Sequence, residues 1–453
     1  MIFADLMFLY IFIPVFALAY FIAGKLDSRS GSCARQNCVL LVFSLLFYAW
    51  GEPVFIILLV ISAFITWCAS LTGKENLGVA ALIAFLVFFK YGNLLISMVP
   101  FTGVSAHAGI HLPIGISFYT FQSISYLLDV RNKKYEPARS FPRLLLYISM
   151  FPQLIAGPMV RYSDIEHELD ERDIDSGDVA AGVFRFINGL GKKVILADQL
   201  SVITDATMGA AGSPITADMA WLGLVSFALQ IYFDFSAYSD MAIGIGRCVG
   251  FHFPENFDKP YLCSSVTDFW RRWHMTLGTF FRDYVYIPMG GNRVPAFRWI
   301  ANVLIVWILT GFWHGAHWNY LIWGLYFGLL LLIERCLHIR DIKGAAAVIW
   351  RFVALFFVVF GWSIFYFEDF GMMRDYIRAL FFAYGASDPV MFTSTVSQHL
   401  ILLTVSCLLC LPWPKKIRPD SAVLRCVWSA FLLIVSTVML VGATNHPFLY
   451  TRF

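Results

Sequence analysis

The sequence predicts an all-α polytopic membrane protein with about 10–12 transmembrane helices and further re-entrant or interfacial helices. Three observations carry this. Of 453 residues, 59% are hydrophobic and only 14% charged, with a mean hydropathy of +0.70. Soluble domains carry roughly 25% charged residues. Apolar segments recur from one end of the chain to the other. Several of them are shorter than the roughly 20 residues a span requires, or are interrupted by proline or glycine. Broken helices survive at membrane depth only where protein or an aqueous cavity covers them.

In chain order, the apolar segments fall near residues 2–23, 37–50, 53–72, 77–99, 114–129, 144–160, 182–200, 216–246, 299–313, 318–336, 346–367, 393–412 and 422–443. Phe3–Ala23 is long enough to span, and no small-residue cleavage site closes it, so it is expected to stay as a first helix. Phe151-Pro152 and Gly157-Pro158 interrupt the 144–160 segment. The 14 Trp, 20 Tyr and 44 Phe are enough to form interfacial belts and large packing surfaces. The acidic run Asp164–Asp178 is expected to be a solvated loop or surface helix. There is no internal repeat, low-complexity tract or separate soluble domain, so residues 1–453 are expected to form a single membrane-embedded domain.

A net charge of +3, scattered through loops, gives no basis for nucleic-acid binding. Basic loops at Lys25, Arg29 and Arg35, at Arg131, Lys133, Lys134, Arg139 and Arg143, and at Lys415, Lys416 and Arg418 are expected to face the cytoplasm, with the N-terminus outside. The nine cysteines show no metal-type spacing and are expected to be packing residues.

One ionisable residue stands out. His314, in Thr310-Gly311-Phe312-Trp313-His314-Gly315-Ala316-His317-Trp318, lies between the apolar runs Trp299–Leu309 and Leu321–Ile333. An ionisable side chain at membrane depth needs a partner or a water-filled cavity, which makes it a functional candidate. The bland alternative is a structural histidine bonded to a neighbouring helix. His317, three residues on, shares roughly the same face if the helix continues. No nearby carboxylate completes a metal ligand set, so no metal is expected.

Residues 252–293 do not look like a lipid-exposed span. Trp270, Trp273 and Leu277 fall on one face of a continuous helix, which describes an amphipathic or re-entrant element at the cytoplasmic interface. Arg271 and Arg272 could receive an anionic donor, because guanidinium forks suit phosphates and carboxylates. Lipid anchoring is the alternative. Arg282 beside Asp283 offers local charge pairing. His274, at the inward end, could act as a base or orient a substrate. In the 216–246 segment, Gln230, Asp234 and Tyr238 recur every four residues and share a helix face. That face could line a cavity for an acceptor or form a polar seam between helices.

At these residues the chain resembles the membrane-bound O-acyltransferases, and within them the bacterial alginate and exopolysaccharide O-acetyltransferase branch. The motifs that carry the likeness are Phe251-His252-Phe253-Pro254-Glu255-Asn256-Phe257, Asp268-Phe269-Trp270-Arg271-Arg272-Trp273-His274, Arg282–Pro288 with Gly290-Gly291-Asn292-Arg293, and Phe312-Trp313-His314-Gly315-Ala316. Pro113–Gln122, Phe151–Pro158 and the closing Asn445–Tyr450 add to it, so the likeness runs essentially end to end.

The resemblance implies a ring of helices around a thin central tunnel, with His314 in the catalytic position on a helix hairpin at 299–336 and His274 in the second polar position. On the residues' own chemistry, Arg271, Arg272, Trp270 and Trp273 are expected to bind the donor, and Gln230, Asp234, Tyr238 and Trp313 to line the acceptor site or tunnel. The implied reaction is transfer of an acetyl group from a cytoplasmic thioester, acetyl-CoA, with no bound cofactor. The product is passed to a polymer by a periplasmic acetyltransferase partner at the inner membrane. Transfer of D-alanyl or another acyl group to a cell-wall polymer, and a transporter or exporter of polymer, are the rival readings.

Overall fold

The computed structural model describes residues 2–28, 32–97, 109–209, 216–381, 389–412, 421–442 and 448–449. Asn445–Pro447 and Tyr450 of the closing motif and the basic positions Arg29, Lys415, Lys416 and Arg418 lie outside them. Every regular element among the described residues is helical, so the chain is an all-α polytopic membrane protein. Among the described residues, seven helices are long and apolar enough to cross a bilayer: Phe8–Asp27, Glu75–Ile96, Ala217–Cys248, Ala296–His314, Ala345–Tyr366, Pro389–Leu409 and Ala422–Gly442. Ile56–Thr72 is apolar but shorter.

The interrupted segments break where their sequence says they must. Residues 144–160 divide into Phe141–Ser149 and Phe151–Leu154, because the residue before Pro152 starts a new helix and Met150 turns out of helical geometry (ψ 111°). Phe151, Pro152, Gln153 and Leu154 are all buried, as irregular backbone in a membrane protein requires. Residues 182–200 run from Ser176–Gly191 through a π-helical turn at Lys192–Ala197 into Asp198–Thr204.

The described residues group into two compact units. The first comprises Met1–Leu190, Ala237–Glu255 and Trp428–Arg452. Its core includes an aromatic cluster in which the Phe151 ring meets Phe12, Phe16 and Phe47 at 5.5, 5.2 and 5.5 Å. The second comprises Gly191–Ser236 and Asn256–Val427, and it holds both candidate histidines. The Ala217–Cys248 helix contributes residues to each unit.

Within the second unit, Ala296–His314 and Trp318–Cys336 form a tight hairpin. Glycine makes the close approach possible. A Cβ on Gly311 would meet the Tyr320 carbonyl oxygen at 2.3 Å, and one on Gly324 would meet that of Trp307 at 2.3 Å. Small residues at helix contacts are how membrane helices gain packing when lipid is as apolar as leucine. Ala345–Tyr366 is one-sided: Ala354, Val358, Gly361 and Trp362 are buried, whereas Ile349 and Phe352 stay exposed, as a lipid-facing surface should.

Candidate active site

His314 is the last residue of its helix, and Gly315 leaves helical geometry immediately after it. The imidazole is buried and enclosed by edge-on aromatic rings: Trp313 at 4.9 Å, Trp323 at 5.0 Å and Phe365 at 5.1 Å between centroids. The two apolar runs around it are therefore two helices, and the histidine sits at the turn between them. Because the helix stops there, His317 does not share its face. His317 caps the next helix, and its Nε2 lies 3.5 Å from Glu368 Oε2 with both side chains about half exposed.

His274 is brought to the same place by a different route. The backbone is helical over Val266–Arg272 and again over Met275–Phe281. Between them His274 adopts a left-handed conformation (φ 45°, ψ 52°). Its ring meets Phe235 edge-on at 4.8 Å and Trp313 at 5.6 Å. Trp313 thus contacts both histidines. Asn256 reaches the turn from 18 residues upstream, placing Oδ1 3.1 Å from His274 Nδ1. His274 lies outside the seven membrane-length helices, and burial pushes its imidazole down to about 3, so it is neutral at working pH.

The left-handed turn changes the reading of the surrounding residues. Trp270, Trp273 and Leu277 do not line one continuous helix, and the two tryptophans pack into an aromatic cluster. Trp270 packs against Trp307 at 4.8 Å and Phe327 at 4.8 Å, and Trp273 against Trp362 at 4.9 Å. Both sides of this contact are aromatic, and edge-to-face ring pairs stabilise packing beyond simple area burial. Arg272 is engaged by Asp268 at 3.0 Å and Asp258 at 3.6 Å. Arg271 is exposed, and no ion pair holds it among the described residues. Arg282 pairs with Asp283 at 2.6 Å.

A cavity of about 420 Å³ opens in the same unit, lined among others by Arg282, Trp299, Trp307, Glu334 and Arg335. The Arg335 guanidinium lies 4.1 Å from the centre of the Trp299 ring, a cation–π contact. Trp307 belongs both to the cavity wall and to the aromatic cluster around Trp270 and Trp323. From Trp307 to His314 is seven residues along one helix, roughly 10 Å at 1.5 Å per residue.

Glu334, buried near the end of the second hairpin helix, joins the two histidine segments. Its carboxylate accepts from Val266 N at 2.6 Å, Thr267 N at 2.8 Å, Thr267 Oγ1 at 2.7 Å and Trp350 Nε1 at 3.1 Å. It therefore fixes the start of the helix that leads to His274 against the hairpin that carries His314. Glu334→Gln turns one acceptor oxygen into an N–H₂ group facing these donors. Leaving a buried donor unsatisfied costs about 1–3 kcal/mol, so thermal unfolding in detergent should show a loss of that size.

Gln230, Asp234 and Tyr238 lie on the one Ala217–Cys248 helix, and all three are buried. Their surroundings differ. In the second unit, Lys193 Nζ lies 2.7 Å from Asp234 Oδ1 and 2.7 Å from Asp198 Oδ1. In the first unit, the Tyr238 ring stacks on Phe3 at 4.7 Å and meets Phe448 edge-on at 5.2 Å. The π turn accounts for the Lys193–Asp198 pairing. Residues five apart lie on different sides of an α-helix but come together where the backbone bonds i to i+5.

A family model described as the membrane-bound O-acyltransferase family matches residues 121–373, which include Asn256, His274, His314 and Glu334. The chain belongs to the membrane-bound O-acyltransferase family. It is an O-acyltransferase, and the two histidines around Trp313 fall within the matched region. Among its relatives, the probable alginate O-acetylase AlgI of Pseudomonas aeruginosa is 37% identical over 84% of this chain and 75% of its own. The Helicobacter pylori peptidoglycan O-acetyltransferase is 35% identical over 73% of this chain and 69% of its own. The Bacillus subtilis teichoic acid D-alanyltransferase is 28% identical over 48% of this chain and 58% of its own.

Proposed function

We propose that this O-acyltransferase takes an acetyl group from a cytoplasmic thioester, acetyl-CoA, for O-acetylation of an exopolysaccharide such as alginate. It would act in the cytoplasmic (inner) membrane and pass the group on through a periplasmic acetyltransferase partner. The observation that carries this reading is the pair of buried histidines whose rings both meet Trp313. The relatives' names support acetyl as the group transferred. The acetylating relatives match more of the chain, and at higher identity, than the D-alanylating one.

The chemistry is a substitution at the thioester carbonyl. The acceptor hydroxyl oxygen attacks the carbonyl carbon as His314 takes the hydroxyl proton. The carbon–sulfur bond then breaks, and the same proton passes to the leaving sulfur. Ester and free thiol result, and His314 returns to its neutral form. A base that takes the proton and then returns it to the leaving group serves both halves of the exchange. His274 positions one of the substrates.

The 420 Å³ cavity supports a donor site different from Arg271 and Arg272 alone. Arg335 and Arg282 face that space, while Arg272 is held by two carboxylates. Arg335→Ala should raise the donor KM several-fold with little change in kcat, the signature of lost ground-state binding. Arg271→Ala should shift it less. Initial rates against acetyl-CoA concentration decide this, and the reverse order would return the donor to Arg271.

The function itself is tested by measuring acetyl ester on secreted polymer in cells with and without the chain. Loss of ester with polymer secretion intact supports the transferase. Loss of the polymer, or solute flux through reconstituted vesicles without any acyl donor, supports an exporter instead.

A further inference from the structure

The two histidines have been given different tasks, and Asn256 defines the second one. Asn256 Oδ1 receives the Thr276 backbone N–H at 3.3 Å and the Thr276 hydroxyl at 2.9 Å. A backbone N–H can only donate, so the Asn256 atom at this point is the oxygen rather than the amide nitrogen. The same oxygen stands 3.1 Å from His274 Nδ1. Two lone pairs at that distance would repel, so Nδ1 carries the hydrogen. A neutral imidazole has one N–H, which leaves the lone pair on Nε2.

The backbone reinforces this arrangement. Met275 N donates to the Asn256 carbonyl at 3.0 Å, directly after the residue held at φ 45°. Left-handed geometry is uncommon for histidine and persists only where its surroundings over-determine it, often at functional positions. Asn256 supplies that restraint through both its main chain and its side chain.

We propose that Asn256 is the positioning residue that fixes His274 in the Nδ1–H tautomer, so that Nε2 accepts a hydrogen bond from a substrate O–H or N–H. This rests on the acyl-transfer reading above. It gives His274 an accepting role, since an Nε2 without a hydrogen cannot donate to the thioester carbonyl. The accepted hydrogen belongs either to a hydroxyl on the acceptor or to an amide of the donor's arm.

The test is solid-state NMR of the full chain in lipid bilayers with ¹⁵N-labelled histidine, the His274 signals being assigned by their loss in His274→Gln. The expected result is a protonated Nδ1 and a bare Nε2 in the wild type. Asn256→Leu should relax or reverse that preference and lower kcat roughly tenfold or more. Asn256→Asp, which keeps the accepting oxygen, should restore Nδ1 protonation. In His274→Gln, a rise confined to the acceptor KM identifies the O–H source, and one confined to the donor KM the N–H source. A proton on Nε2 in the wild type, or an unchanged tautomer in Asn256→Leu, overturns the proposal. Failure of the functional reading is separate: the wild type would transfer no acetyl group, whatever its tautomer.

Discussion

His314→Ala is expected to lower kcat for acetyl transfer by about 10²–10⁴, the range a positioned general base contributes. The packing argues that this loss would not come from unfolding. His314 ends its helix, and its contacts include ring edges from Trp313, Trp323 and Phe365. The glycine contacts that set the hairpin spacing lie elsewhere, at Gly311 and Gly324. His314→Gln, closer in size, should unfold near the wild-type temperature and still be slow. The paired measurement is kcat with saturating donor alongside thermal unfolding in the same detergent. A variant within a few-fold of wild type would take His314 out of the chemistry and leave it as a packing residue.

The burial of His314 between two apolar helices was legible, because the two apolar runs flank it in sequence, and an ionisable residue there is costly. The same reasoning applies to Lys193 and Glu334, each an ionisable residue inside an apolar segment, and it would have picked them out. Their partners could not have been found that way. Lys193 meets Asp234 across 41 residues, and Glu334 meets Val266 across 68, and no local pattern encodes such pairings. The helical class and the break at Phe151-Pro152 were legible because proline acts locally. The break at His274 was not. A three- and four-residue aromatic spacing fits a single helix as well as two short ones, and no glycine marks the left-handed residue. That one conformation sets which rings Trp270 and Trp273 meet: Trp307 and Phe327 for the first, Trp362 for the second. The Arg272 carboxylate partners, Asp258 and Asp268, lie close in sequence, but which arginine they would engage depends on the same turn.

Lys193→Met is expected to destabilise the second unit by about 3–5 kcal/mol, the cost of breaking a buried ion pair by removing one member. Lys193 and Asp234 are each 3% exposed, so water cannot replace the lost partner, whereas Asp198 at 12% is nearer to solvent. Lys193→Met combined with Asp234→Asn should therefore recover a substantial part of the loss, because the most deeply stranded carboxylate is gone. The four-member cycle, read by thermal unfolding, isolates that coupling. Simple additivity of the two single changes would show that the pair contributes nothing beyond its packing. The consequence reaches the site through one residue. Phe235, next to Asp234 on the helix, meets the His274 ring edge-on at 4.8 Å. A helix that shifts to relieve a buried carboxylate moves that ring, so Lys193→Met should also lower kcat, and the double variant should restore it in step with stability. Stability recovered without activity would mean that Phe235 does not hold His274 in place, and that Asn256 and the left-handed turn do so alone.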